Sequence, residues 1–198
     1  ARFWPVAGVV GENGGLWFWC DGKTMHRRFL QSEEERMINR GRLEELAKVI
    51  LAEVPGSALA SDQPYRDLDL AVDFCEDVEP LGDDAVDSIV RLFHEAGATA
   101  KVSSIHVNGW FGTFDKLTGI DRFHRDRYDT PIDHSRWVFF GDSANDEPMF
   151  GAFKHSIGVA NVSEFLGRMD DHPSWVTEKS GGHGFIEGMR ILFGQGRD

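Results

Sequence analysis

The sequence is poor in cysteine, in basic residues relative to acidic ones, and in long apolar runs. Of 198 residues only Cys20 and Cys75 are cysteine. Two cysteines make no disulfide framework, and neither belongs to a Cys-x-x-Cys pair. No apolar run approaches the roughly 18 to 20 residues that a bilayer span needs. The start, Ala1-Arg2-Phe3-Trp4-Pro5, has no apolar stretch of the signal-peptide kind. Lys and Arg number 21 against 33 Asp and Glu, for a formal charge of −12. That balance argues against a nucleic-acid or anionic-membrane surface, which needs clustered bases. The chain reads as soluble and cytoplasmic, and the sequon at Asn161-Val162-Ser163 reads as chance. Repeats and low-complexity tracts are also missing.

What is present is globular. Apolar residues make up 41% and charged residues 27%, enough for one large domain or two small ones. The charge is uneven. Residues 61 to 90 hold ten acids and one base, a charge of −9, which leaves −3 for the rest. Residues 101 to 154 hold eight acids and seven bases. The repulsion is therefore concentrated in one block.

Val6 to Val10, closed by Gly11-Glu12-Asn13-Gly14-Gly15, suits a strand buried on both faces, as in a parallel sheet. Leu16 to Cys20 is a second strand-like run. Ser32 and Glu35 form a capping-box pattern ahead of Leu43, Leu46, Ala47 and Ile50 at helical spacing, with Gly41 as an early break or bend. Asp67 to Phe74 alternates as a half-buried antiparallel strand does. Asp83 or Asp84 caps a helix that Gly97 stops, and Lys101 to Val107 reads as one strand. Residues 20 to 108 thus read as an α+β unit. After Trp110 strands alternate with helices: Lys116 to Arg127 helical, Trp137 to Phe140 an apolar strand, then Ser156 to Ala160 and Trp175 to Thr177. That alternation indicates a parallel α/β layer.

The chemistry-bearing segment is Trp137-Val138-Phe139-Phe140-Gly141-Asp142-Ser143-Ala144-Asn145-Asp146. Ligands of open α/β sheets bind at the carboxyl ends of strands, and oxygen donors on a tight turn suit a hard cation such as Mg²⁺. A plain loop with Asp as helix cap fits the same pattern.

Gly-Asp-x-x-Asn-Asp after an apolar strand resembles the fourth motif of the haloacid dehalogenase superfamily of phosphohydrolases. Lys116 resembles the lysine of its third motif, and Glu12-Asn13-Gly14 resembles the Asn-Gly turn after an early core strand. The intervening α+β segment resembles the large cap of the Cof, sucrose-phosphatase and mannosyl-3-phosphoglycerate-phosphatase type. The resemblance implies an α/β fold: a Rossmann-like parallel core at 1–19 and 109–198, with an inserted α+β cap at 20–108. It implies a Mg²⁺-dependent phosphatase acting on a small phosphorylated sugar or sugar acid through an aspartyl-phosphate. Asp142 and Asp146 would serve the metal, Lys116 the phosphoryl charge, and Asn145 and Asn13 the substrate. A phosphomutase, or a relative that binds a ligand without catalysis, are the other classes the pattern admits.

The family's nucleophile lies in an apolar strand ending Asp-x-Asp-x-Thr, before the Asn-Gly turn. The only Asp-x-Asp here is Asp67-Leu68-Asp69, which follows Gln63-Pro64-Tyr65-Arg66 and has no Thr after it. It is read as the polar face of an insert strand. The expectation is a chain lacking the nucleophile's strand and unable, as it stands, to turn over phosphate esters.

The insert should select the substrate. Ser104 and His106 share a face of the strand leading back to the core. His106 and Asn108 are either substrate contacts or hinge-strand residues satisfied by backbone bonds. Arg27, Arg28 and Arg66 are solvated or meet a second anionic group. Gly109 and Gly112 flank the return crossing and offer hinge freedom. His124-Arg125-Asp126 lacks the Asn that a kinase loop needs, since Pro131 stands there.

Overall fold

The computed structural model describes residues 3–194. The chain forms two compact units that meet in sequence at Pro131 and Ile132.

The first unit opens with an antiparallel sheet of β1 (Val9–Gly11), β2 (Leu16–Asp21) and β3 (Thr24–Phe29), in that order. The early apolar run is therefore not a parallel-sheet strand. Glu12, Asn13 and Gly14 all have positive φ and reverse the chain, so β1 pairs with the strand that follows it. Helix α1 (Glu33–Glu53) starts at the expected capping box. The Ser32 Oγ accepts the Glu35 amide, and the Ser32 amide donates to Glu35 Oε2 at 2.8 Å. Gly41 does not break α1, because Leu43, Leu46, Ala47 and Ile50 anchor the helix beyond it.

A second antiparallel sheet has the order β4 (Ala58–Leu59), β5 (Asp69–Asp73), β7 (His106–Trp110), β6 (Thr99–Val102). Helix α2 (Asp83–Glu95) connects β5 to β6, and α3 (Lys116–Tyr128) follows β7. Leu70 and Val72 of β5 and Val107 of β7 pack with Ile50 of α1 and Ile89 and Phe93 of α2. Truncating Phe93, fully buried here, should cost about 3 to 5 kcal/mol.

Two expectations about this sheet change. The run Lys101 to Val107 is two strands, with Ser103 to Ile105 as the turn, so Ser104 and His106 do not share a strand face. Strand β5 is buried at every position rather than on one face. Its inner sheet position places Asp69 and Asp73 in protein surroundings, and each is fully engaged as described below. Gly109 also has a different reason from hinge freedom. A Cβ there would lie 2.0 Å from the Phe93 ring, so the glycine admits the core phenylalanine.

The second unit carries the parallel sheet β8 (Val138–Gly141), β9 (His155–Gly158) and β10 (Trp175–Val176), in the order β10-β9-β8. Helix α4 (Glu147–Ala152) links β8 to β9. Helix α5 (Gly181–Leu192) packs through Gly184 and Gly188, its two buried residues, the latter against Phe140. The Gly181 to Gly184 run is the first turn of this helix. Among the described residues β8 has a free edge, and Trp137 and Val138 are 43% and 39% exposed. No helix of the described residues is long and apolar enough to cross a membrane. The observed architecture is the expected α/β class, with an antiparallel α+β layer and a parallel sheet flanked by helices.

Candidate active site

In the second unit the candidate residues sit at the carboxyl end of β8. The strand ends at Gly141, where a Cβ would stand 2.7 Å from Asp146 Oδ2. That closeness lets the carboxylate of Asp146 fold back under the loop. Asp146 Oδ2 accepts the amides of Asp142 at 2.8 Å and Ser143 at 3.4 Å. Asp146 is buried, whereas Asp142 and Asn145 are half-buried. The Ser143 hydroxyl donates to Asn145 Oδ1 at 3.0 Å. Every donor on this turn is oxygen: two carboxylates, a hydroxyl and an amide oxygen. A hard cation that takes one or two protein carboxylates and keeps its waters fits that set. No group of three or more His, Cys, Asp or Glu stands together for a metal among the described residues. Asp142 is the more accessible of the two carboxylates.

In the first unit Lys116 is the first residue of α3, behind the N-cap Asp115, whose carboxylate accepts the Thr118 amide at 2.8 Å. A helix start combined with a lysine is a favourable place for an anion. The Glu12-Asn13-Gly14 turn presses against this helix start. Gly14 has φ +97° and a Cβ there would lie 1.9 Å from the Asp115 carbonyl oxygen, so only glycine fits. Asn13 Nδ2 donates to Asp69 Oδ2 at 3.0 Å.

Asp69 is the centre of a buried polar group on the insert sheet. Arg66 Nη1 donates to Asp69 Oδ1 at 3.0 Å and to Asn108 Oδ1 at 3.4 Å. The same guanidinium bonds Asp62 through Nε at 2.8 Å. Arg66 is thus held between two carboxylates and is not a solvated arginine. Burial pushes the Asp69 carboxyl up, while Arg66 and Asn13 pull it back without cancelling the rise. Arg27 is exposed, pairs with Asp67, and lies over the Phe18 and Phe29 rings.

His106 is buried, with Nε2 2.9 Å from Glu76 Oε2 but outside hydrogen-bond geometry. Its neighbour across the sheet, Asp73, accepts the amides of Cys75, Glu76 and Asp77. Burial raises the Asp73 carboxyl, and those amides together with His106 outweigh it, leaving it below the usual range. Asn108 is also buried.

Glu12, in the Asn13 turn, is also engaged. Its carboxylate accepts the amides of Asp67 at 2.9 Å, Leu68 at 2.5 Å and Asp69 at 3.3 Å. Burial, then the charge of Asp69, pushes Glu12 up to about 7, against the pull of those three amides. A charged residue inside an apolar-then-glycine turn was the available signal.

Residues 82–186 match the family model of haloacid dehalogenase-like hydrolases, more than half of the chain, and the chain belongs to that family. A phosphoglycolate phosphatase of Methanosarcina mazei is 35% identical over 95 residues, 48% of this chain and 36% of that protein. The match thus spans about a third of that relative's length. A Thermoplasma acidophilum structure shares the fold with TM-score 0.65 at 20% identity, covering 98% of this chain and 75% of the other. The sucrose-phosphatase of Synechocystis, solved with sucrose and phosphate, shares it with TM-score 0.60 at 13% identity, covering 91% and 72%.

Proposed function

We propose that this chain supplies the metal loop, the phosphoryl-facing lysine and the substrate-selecting insert of a Mg²⁺-dependent phosphatase. The substrate class is a small phosphorylated sugar or sugar acid, as the names of the relatives suggest. The observation that carries the reading is the Asp142 loop: a half-buried carboxylate at the end of a parallel strand, shaped from beneath by Asp146. Bound Mg²⁺ would withdraw charge from the phosphoryl oxygens. Asp142 would ligate it, and Asp146 would act mainly by fixing the Asp142 backbone. Lys116 would neutralise the remaining phosphoryl charge, and Asn145 and Asn13 would donate hydrogen bonds to substrate. Phosphoryl transfer asks for positioning and charge stabilisation more than for covalent help, so these roles suffice on their side of the reaction.

The domain reading belongs to this proposal: 1–19 and 109–198 as core, 20–108 as insert. The chain contains no Asp-x-Asp-x-Thr. The aspartyl nucleophile is accordingly assigned to residues other than these 198, and a cytoplasmic setting suits such a metabolite enzyme. The test is phosphate release from a panel including 2-phosphoglycolate and sugar phosphates. It uses this chain and, in parallel, a chain with whatever its gene encodes upstream of Ala1. Release that needs Mg²⁺ and vanishes in Asp142→Asn supports the reading. Release unaffected by Asp142→Asn overturns it.

A further inference from the structure

Residue Glu12 has two unusual properties. It holds a non-glycine left-handed backbone, φ +47°, directly before Asn13 at φ +54° and Gly14 at φ +97°. Its side chain leaves this turn and collects three consecutive amides, Asp67, Leu68 and Asp69, from a segment 55 to 57 residues away. Three N–H groups converging on one carboxylate form an anion nest filled by the protein's own acid. Two left-handed non-glycine residues in a row are costly and persist only where the surroundings hold them.

The turn is held from two sides. Glu12 and Asn13 bind the entry of β5, through the amides and through Asp69 Oδ2. Gly14 lies against Asp115 and Gly119, at the start of the helix that begins with Lys116. One three-residue turn therefore joins the strand that carries Asp69 to the helix start that carries the lysine.

We propose that Glu12 is a positioning residue: its carboxylate locks the Asn13 turn onto the Asp69 segment and so sets the register between the insert sheet and the Lys116 helix start. This inference rests on the proposed phosphatase reading for its catalytic consequence, and on the hydrogen bonds alone for its structural one. Asp69 faces Glu12 as a second acid, with Arg66 between Asp69 and Asp62. Asp67 contributes its amide to Glu12 and turns its carboxylate to Arg27. Helix α3, packed against the same turn, begins at Lys116 behind the N-cap Asp115. The Glu12 carboxyl group is met by these three amides.

The experiment uses the 198-residue chain and two variants, Glu12→Gln and Glu12→Asp, followed by amide proton exchange and nuclear magnetic resonance. In Glu12→Gln the Leu68 and Asp69 amides should exchange at least about tenfold faster, while Val72 in mid-strand keeps its rate. Glu12→Asp, too short to span three amides, should fall between. In the wild type the Leu68 amide shift should titrate with a midpoint near the value of about 7, and Glu12→Gln should remove that titration. Unchanged exchange at Leu68 and Asp69 in Glu12→Gln overturns the proposal. Glu12→Asp keeps the test decisive if Glu12→Gln does not fold. Where phosphate release is obtained, Glu12→Gln should lose an inflection near pH 7 from its rate profile. A failed substrate panel would sink the phosphatase reading and leave the exchange result standing.

Discussion

Asp146 Oδ2 accepts the Asp142 backbone amide at 2.8 Å, so the second acid of the loop is committed to shaping the first. The two carboxylates should therefore fail differently. Asp142→Asn should abolish Mg²⁺ binding measured by titration calorimetry. Asp146→Asn should weaken it about 10- to 100-fold, as loss of an outer support does. Asp146→Ala should also lower stability by about 1 to 3 kcal/mol, because two amides lose a buried acceptor. Equal losses of metal affinity in both Asn variants would contradict this division of labour.

Glu12 gives a pH dependence with a definite sign. Its carboxyl is pushed up from 4.5 to about 7, first by burial and then by Asp69. Between those values the folded chain holds a proton that the unfolded chain has lost. The stability Glu12 contributes is therefore complete below pH 4.5 and is lost as the pH rises to about 7. The raised carboxyl corresponds to about 3 kcal/mol. Urea unfolding at pH 4.5 and 7.5 should show the gap between wild type and Glu12→Gln moving toward the variant by up to that amount. A gap that stays constant across the two pH values would refute the assignment.

Gly14→Ala tests the contact between the turn and the lysine helix. The position has φ +97°, and a methyl would stand 1.9 Å from the Asp115 carbonyl oxygen. Backbone strain of about 1 to 3 kcal/mol adds to the cost of moving that carbonyl. A loss of at least about 2 kcal/mol in urea unfolding is expected. A neutral substitution would mean that the turn and α3 are not in firm contact.

How much of this was legible in sequence depends on the range of each interaction. The Ser32–Glu35 capping box and the Asp142 loop close within a few residues, and both were readable as patterns. The apolar spacing of Leu43, Leu46, Ala47 and Ile50 survived Gly41 because packing, not propensity, holds that helix. The pairing of β1 was misread because a three-residue strand carries too little periodicity to choose between parallel and antiparallel neighbours. Asp69 looked like the polar face of a strand because alternation cannot show that Arg66 and Asn13 wait on that face. Glu12 stands out locally only as a charge in a glycine turn, and its role is not legible because its partners lie more than 50 residues away.

The free edge of β8 makes a further expectation. Among the described residues β8 is the outermost strand of its sheet, beside Trp137 and Val138 at 43% and 39% exposure, and an outermost strand is a template for self-association. Val138→Lys should raise the fraction of monomer in sedimentation runs of this chain while leaving its unfolding midpoint within about 0.5 kcal/mol. An unchanged monomer fraction in a wild type that self-associates would move the contact elsewhere on the surface.

The strongest coupling expected in the first unit is between Arg66 and Asp69. The guanidinium lies 3.0 Å from a carboxylate that is only 2% exposed. Removing one partner of such a pair leaves an uncompensated charge and typically costs about 3 to 5 kcal/mol. Arg66→Met alone should therefore be severe, although Asp69 can shed part of the cost by taking up a proton, its carboxyl being already raised by burial. That escape gives a sign: the Arg66→Met penalty should be smaller at pH 5 than at pH 7.5. Adding Asp69→Asn removes the orphaned charge, so the double variant should be more stable than Arg66→Met at pH 7.5 by about 1 to 3 kcal/mol. Additive losses, with no dependence on pH, would show that the pair contributes packing and no electrostatic coupling.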